Sequence, residues 1–228
     1  MPNFSIIIPT WNEAQGIRHT LQNLQSLRQQ AQIIVVDGGS EDGTPDIAFP
    51  LSDRVLTAAR GRANQMNTGA KAATGNILIF LHADTRLPAD ALSKIEQAID
   101  DGYRWGRFDV ELAGRHPFLP VIASSMNLRS RLSGIATGDQ AIFVERKLFD
   151  QIGGYPQQPL MEDIELSKRL RRHGRPACLF SQVTTSARRW ETYGMVRTIL
   201  LMWWLRSLYC VGTPPDRLNS LYRRGVFW

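Results

Sequence analysis

The stretch NILIFLHADTRLP, residues 76–88, decides how this chain is read. Its first half, residues 77–81, is an apolar run without a turn former, which predicts a buried strand. That strand would deliver His82 and Asp84 to its carboxyl end, where ligands bind in open α/β sheets. A carboxylate and an imidazole one residue apart suit a shared divalent metal, and through it a metal-bound diphosphate. The competing reading is local: Asp84 starts a loop or caps the next helix.

Upstream, β-branched runs recur at residues 4–8 and 33–36, and helix-like stretches fill residues 13–30, 42–48 and 62–74. Strand, helix, strand in that rhythm predicts a parallel, doubly wound sheet. Downstream, residues 88–101 read as a helix with Pro88 near its first turn, and residues 104–112 as a strand of alternating character. Beyond about residue 115 the pattern loosens. Helices are expected at 118–132, 149–153, 162–173 (closed by Gly174) and 195–210, and strands at 140–144 and 177–184.

The 228-residue chain is long enough for one sizeable core, with ordinary apolar and charged fractions that exclude disorder. Its net charge of +6 is uneven: residues 1–120 sum to −2 and residues 121–228 to +8. An anionic partner is therefore expected on the second half. Cys178 and Cys210 lack metal-type spacing and do not suggest a disulfide framework. The amino terminus has no basic region followed by a long apolar one. The apolar run ILLMWWL, residues 199–205, stops at Arg206, short of the roughly 20 residues that span a bilayer. A cytoplasmic chain is expected, with at most a peripheral contact on the cytoplasmic membrane face.

Three further constellations carry chemistry. Asp37 follows the strand at 33–36 and opens GGSEDGT, where it would accept hydrogen bonds from a nucleobase or ribose, or else form an Asx-type turn while Asp42 caps the next helix. Arg62 and Asn64 lie in RGRANQMN, and the guanidinium suits a base or phosphate. Glu162 and Asp163, in PLMEDIELSKRL, open a helix whose dipole favours negative charge. They are either first-turn acids alone, or Asp163 is a general base for an attacking hydroxyl. A phosphatase-type D-x-D-x-T loop is excluded, since position 82 is histidine.

SIIIPTWNE, VVDGGSEDGT, GNILIFLHADT and GGYPQQPLMEDIELSKRLRRHG stand in this order over about the first 175 residues. Together they resemble family 2 glycosyltransferases, in particular a small subgroup with HADT and MED motifs. The resemblance implies a GT-A fold: a mostly parallel mixed sheet flanked by helices, followed by a C-terminal amphipathic helical segment. Residues 1–185 would form the glycosyltransferase domain, with a nucleotide-sugar-binding half at 1–115 and an acceptor half at 116–185. Residues 186–228 would be an extension packed on the domain or on a membrane.

The same resemblance implies a nucleotide-diphosphate-sugar donor, with Pro9, Asn12, Glu13, Asp37 and Arg62 around the nucleotide. Asp84 falls on the family's metal-binding aspartate for Mn2+ or Mg2+. His82 replaces the usual first aspartate, as a metal ligand, a ribose contact or neither. Asp163, with Glu162 beside it, falls on the catalytic base. Asp139 and Gln140 lie where acceptor-proximal residues occur, and Arg189 and Trp190 are similar to the end of the Q-x-x-R-W element of processive synthases. The glutamine position is Ser186 here, and processive synthesis is not expected. The acceptor is a hydroxyl compound, lipid-linked in one reading; no nucleic-acid partner is expected, and the helix at 195–210 offers a contact for oligomers. Two other readings remain. A sugar-nucleotide nucleotidyltransferase needs a Gly-rich basic loop after the first strand, which PTWNEAQG lacks; a basic membrane-associated binding module needs no catalysis at all.

Overall fold

The computed structural model describes residues 3–224. Its first half alternates β1 (Phe4–Thr10), α1 (Ala14–Leu24), β2 (Ala31–Asp37), α2 (Thr44–Ala48), β3 (Arg54–Thr57), α3 (Arg62–Ala72) and β4 (Ile77–Phe80). Then come β5 (Thr85–Arg86), α4 (Ala91–Asp100), β6 (Trp105–Ala113), α5 (Leu119–Ser133), β7 (Ile142–Glu145) and α6 (Arg146–Gln151). The chain ends with α7 (Glu162–Arg171), β8 (Ala177–Ser186), α8 (Arg188–Tyr193), α9 (Met195–Cys210) and α10 (Pro215–Arg224).

One eight-stranded mixed sheet runs in the order β3-β2-β1-β4-β7-β6-β8-β5. The first four strands in that order are parallel, as the alternating rhythm predicts. β7 then enters antiparallel to both β4 and β6. Helices cover both faces, so β1, β2 and β4 are buried apart from half-buried Gln32, and residues 6–8, 33–36 and 77–80 within them read as continuous apolar runs. Ile6, Ile8, Ile33 and Val35 face one core with Ile17 and Leu21 of α1, while Ile7, Ile34 and Val36 face the other with Met66 of α3 and Leu166 of α7. α3 closes on β1 only because position 69 is glycine, where a Cβ would collide with the Ile7 side chain.

The structure departs from the sequence reading in three places. β3 and β5 are too short and too polar to announce themselves. β6 alternates only at its end, because β7 and β8 flank it and α5 covers it; Trp105 to Val110 are all buried. Even Arg107 lies inside, paired with Asp109, whose other oxygen accepts from Arg131 at 2.6 Å. α9 is not amphipathic, as its apolar residues surround it. Leu201 and Leu205 are buried with Leu218 of α10 against Leu160, Met161 and Ile164, while Val196, Leu200 and Trp203 are exposed.

Candidate functional site

The loops after β1 and β2 latch onto each other. Asn12 N–H donates to Ser40 Oγ (2.8 Å), and Asn12 Oδ1 accepts from Glu41 N (3.0 Å). Ala14 N donates to Asp42 Oδ2 at 2.9 Å, so Asp42 caps α1 from the neighbouring loop, besides accepting from Thr44 N at the first residue of α2. Asp37 closes its own turn. Its Oδ2 accepts from Gly39 N (2.8 Å) and Ser40 N (2.7 Å), and its Oδ1 from Ser40 Oγ (2.5 Å) and Thr10 Oγ1 (3.2 Å). That is the Asx-type geometry, in a buried carboxylate.

Beyond the carboxyl ends of β1 and β4 lies a cavity of about 740 Å³. Pro9, Glu13, Arg62, His82, Asp84, Asp139, Arg189 and Trp190 all line it. Asn12, Asp37, Gln140, Glu162 and Asp163 do not. Burial raises the Glu13 carboxyl above the ordinary carboxylate range, against the pull of Arg188 at 3.5 Å, and the charge of Asp84 adds to the rise. Gln140 is fully buried, and its Oε1 accepts from Thr137 N at 3.2 Å in a capping box.

Three contacts join segments that are far apart in sequence. His82 Nδ1 meets Asp139 Oδ1 at 3.3 Å. Gly138 N–H donates to Asp163 Oδ2 at 2.9 Å, while Asp163 Oδ1 accepts from Ile164 N. Arg62 Nε meets Glu162 Oε1 at 3.2 Å. Asp163 is half-buried just behind the wall, near enough that its charge bears on Arg62 and on Arg129, both of which line the cavity. Asn12, Ala141 and Met161 hold positive φ angles (53°, 46° and 64°), next to Glu13, Gln140 and Glu162 respectively. Left-handed backbone at non-glycine residues is costly and tends to collect at functional sites.

Burial opposes a charged His82, but Asp139 more than offsets it and holds the imidazole above its ordinary range. Nε2 is buried, has no hydrogen-bond partner among the described residues, and sits where a Cβ on Gly138 would collide with it. Nδ1 is thus engaged by Asp139, while Nε2 packs against Gly138 without a hydrogen-bond partner among the described residues. Among the described residues, no three His, Cys, Asp or Glu side chains gather as a protein-only metal cage. Asp84 on the cavity wall still fits a divalent ion of the kind bound by one or two carboxylates plus substrate phosphates.

The sequence did not single out Trp11, Arg129, Ile199 or Met202, although each lines the cavity. The stacking of Arg60 on Trp11, with the guanidinium carbon 3.3 Å from the ring centre, had no sequence signal beyond the PTWNE motif itself.

The family model for glycosyl transferase family 2 matches residues 5–153, and the chain belongs to that family. A PGL/p-HBAD biosynthesis glycosyltransferase of Mycobacterium bovis is 33% identical over 178 residues, covering 68% of this chain and 63% of its own. The chain thus spans less than two thirds of that relative. Among solved structures, the fold is similar to that of a mannosyltransferase from Pyrobaculum calidifontis in complex with GDP-Man and Mn2+. The TM-score is 0.69 at 20% identity, over 96% of this chain and 69% of that one. S. aureus TarS 1–349 in complex with UDP-GlcNAc gives a TM-score of 0.67 at 20% identity, over 82% and 58%. Likeness at that identity establishes the GT-A architecture.

Proposed function

We propose that this chain is an inverting, divalent-metal-dependent glycosyltransferase of the HADT and MED subgroup. It moves a sugar from a nucleoside diphosphate sugar to an acceptor hydroxyl. The observation that carries this reading is Asp84 at the end of β4, in one cavity with Glu13, Arg62 and the His82–Asp139 pair, with Asp163 immediately behind. Donor-side residues come from 1–115 and acceptor-side residues from 116–185, with 186–228 as the extension.

Asp84 would hold Mn2+ or Mg2+ together with diphosphate oxygens; the ion, when bound, compensates the charge of the leaving diphosphate. Arg62 adds positive charge at the same end, oriented by Glu162. Asp163 takes the proton of the attacking hydroxyl, and attack opposite the leaving group inverts the anomeric centre. The N–H of Gly138 holds the Asp163 carboxylate in its orientation. The relatives bound to GDP-Man and UDP-GlcNAc support the donor class while differing in base and sugar. No helix among the described residues is long and apolar enough to cross a membrane. Exposed Val196, Leu200 and Trp203, on a half that carries a net +8, support peripheral contact with an anionic leaflet.

The test is donor turnover with Mn2+, with Mg2+ and with chelator, for the wild type, Asp84→Ala and Asp163→Asn. Metal-dependent turnover lost in both variants, with circular dichroism unchanged, is the expected outcome. Unchanged turnover in Asp163→Asn would remove the base.

A further inference from the structure

We propose that the acceptor is an amphiphile with an oxyanion head, held by Arg129, and an apolar body lying between α5 and α9. The proposal rests on the sugar-transfer reading and deepens it by naming a substrate class.

The cavity has two chemistries. One end carries Glu13, Arg62, His82, Asp84 and Asp139; the other is walled by Ile122 and Met126 of α5 and Ile199 and Met202 of α9. These apolar residues form a stripe on each helix. Ile122, Met126 and Arg129 are spaced i, i+4, i+7, and Ile199, Met202 and Arg206 are spaced i, i+3, i+7. Val121 and Trp203 line the cavity too, yet are 59% and 67% exposed, so they form its rim. A sugar nucleotide has no apolar body to cover such a wall, and its hydroxyls would lose their hydrogen bonds there. The apolar end therefore suits a different molecule from the donor.

Arg129 stands where the two ends meet. Its Nε and Nη2 are buried and have no hydrogen-bond partner among the described residues. The charges of Asp163 and Asp139 act on it, but Asp163 is taken up by Gly138 N and Ile164 N, and Asp139 Oδ1 faces His82. A buried guanidinium fork with open donors matches a phosphate or carboxylate, which accepts two parallel N–H bonds. An oxyanion seated there is close to Asp163, so the hydroxyl beside it comes within range of the proposed base, while the apolar body extends toward Val121 and Trp203.

Isothermal titration calorimetry tests this with decyl phosphate and decanoate, each below its micelle concentration, against decyl maltoside and inorganic phosphate. One or both anionic amphiphiles should saturate a single site, and the stronger of the two identifies the head group. Inorganic phosphate and decyl maltoside should bind at least about tenfold more weakly. Arg129→Gln should cost the anionic amphiphile about tenfold while Mn2+-dependent binding of nucleotide sugars stays unchanged; Met202→Ala should weaken the amphiphile alone. Equal binding of inorganic phosphate, equal binding of decyl maltoside, or unaltered affinity in both variants would each overturn the proposal. If no nucleotide sugar binds the wild type, the transferase reading fails, whereas the amphiphile titration still reports on the Arg129 site by itself.

Discussion

Gly138 donates its backbone N–H to Asp163 Oδ2 at 2.9 Å, across 25 residues of chain. The same glycine packs on His82 so closely that a Cβ would meet the ring. One residue thus fixes two of the sequence motifs relative to each other. Gly138→Ala should push the imidazole off Asp139 and loosen Asp163, costing about 1–3 kcal/mol of stability by overpacking. Thermal melts and donor turnover should both fall. A variant with wild-type melting and turnover would show that this close approach is not needed.

Asp84→Ala should leave the fold intact, because its side chain lies on the cavity wall rather than in either core. The thermal shift produced by a nucleotide sugar with Mn2+ should shrink to that seen without metal. A full metal-dependent shift in the variant would place the ion elsewhere.

Glu162 sets a pH dependence. Burial raises its carboxyl above the ordinary value of 4.5, while Arg62 pulls it back only in part. Between 4.5 and the raised value the folded state holds more protons than the unfolded chain, so stability falls as pH rises through that window. The contribution is fully present below the unfolded value. Glu162→Gln should flatten this part of the curve, read as urea midpoints in steps from about pH 4 to about pH 8. An identical slope in both proteins would mean that Glu162 is not the group responsible.

α9 has a structural side and an exposed one. Leu205→Ala removes a fully buried side chain from the cluster with Leu160, Met161 and Ile164, and should cost about 2–5 kcal/mol. Trp203→Ser changes an outward residue and should stay within about 0.5 kcal/mol. If Trp203 contacts lipid, the same variant should instead lower binding to anionic vesicles. Equal destabilisation by the two changes would contradict the packing described.

The parallel part of the fold was legible because β1, β2 and β4 are covered on both faces, which forces apolar runs at 6–8, 33–36 and 77–81. β3 and β5 were not legible: a strand of two or four partly exposed residues needs no such run, only an edge to pair with. For α9, an apolar composition pointed to one buried stripe, whereas contacts on one side and exposure on the other divide the same residues. At the site, Asp84 and Arg62 were visible as chemistry at strand and helix ends, and Glu13 through the family resemblance. Arg129 was not, since one arginine among the 16 basic residues of the second half has no local mark.

The sequence by itself determined the family, the parallel part of the sheet and the order of the HADT, GDQ and MED segments, since hydrophobic period and short motifs are local properties. Only the tertiary structure decided that His82 pairs with Asp139, that Glu162 holds Arg62, and that Arg129 keeps open donors. Those outcomes depend on which polar groups lose water together, and the chain fixes that only when β7, α5 and α7 pack beside the end of β4.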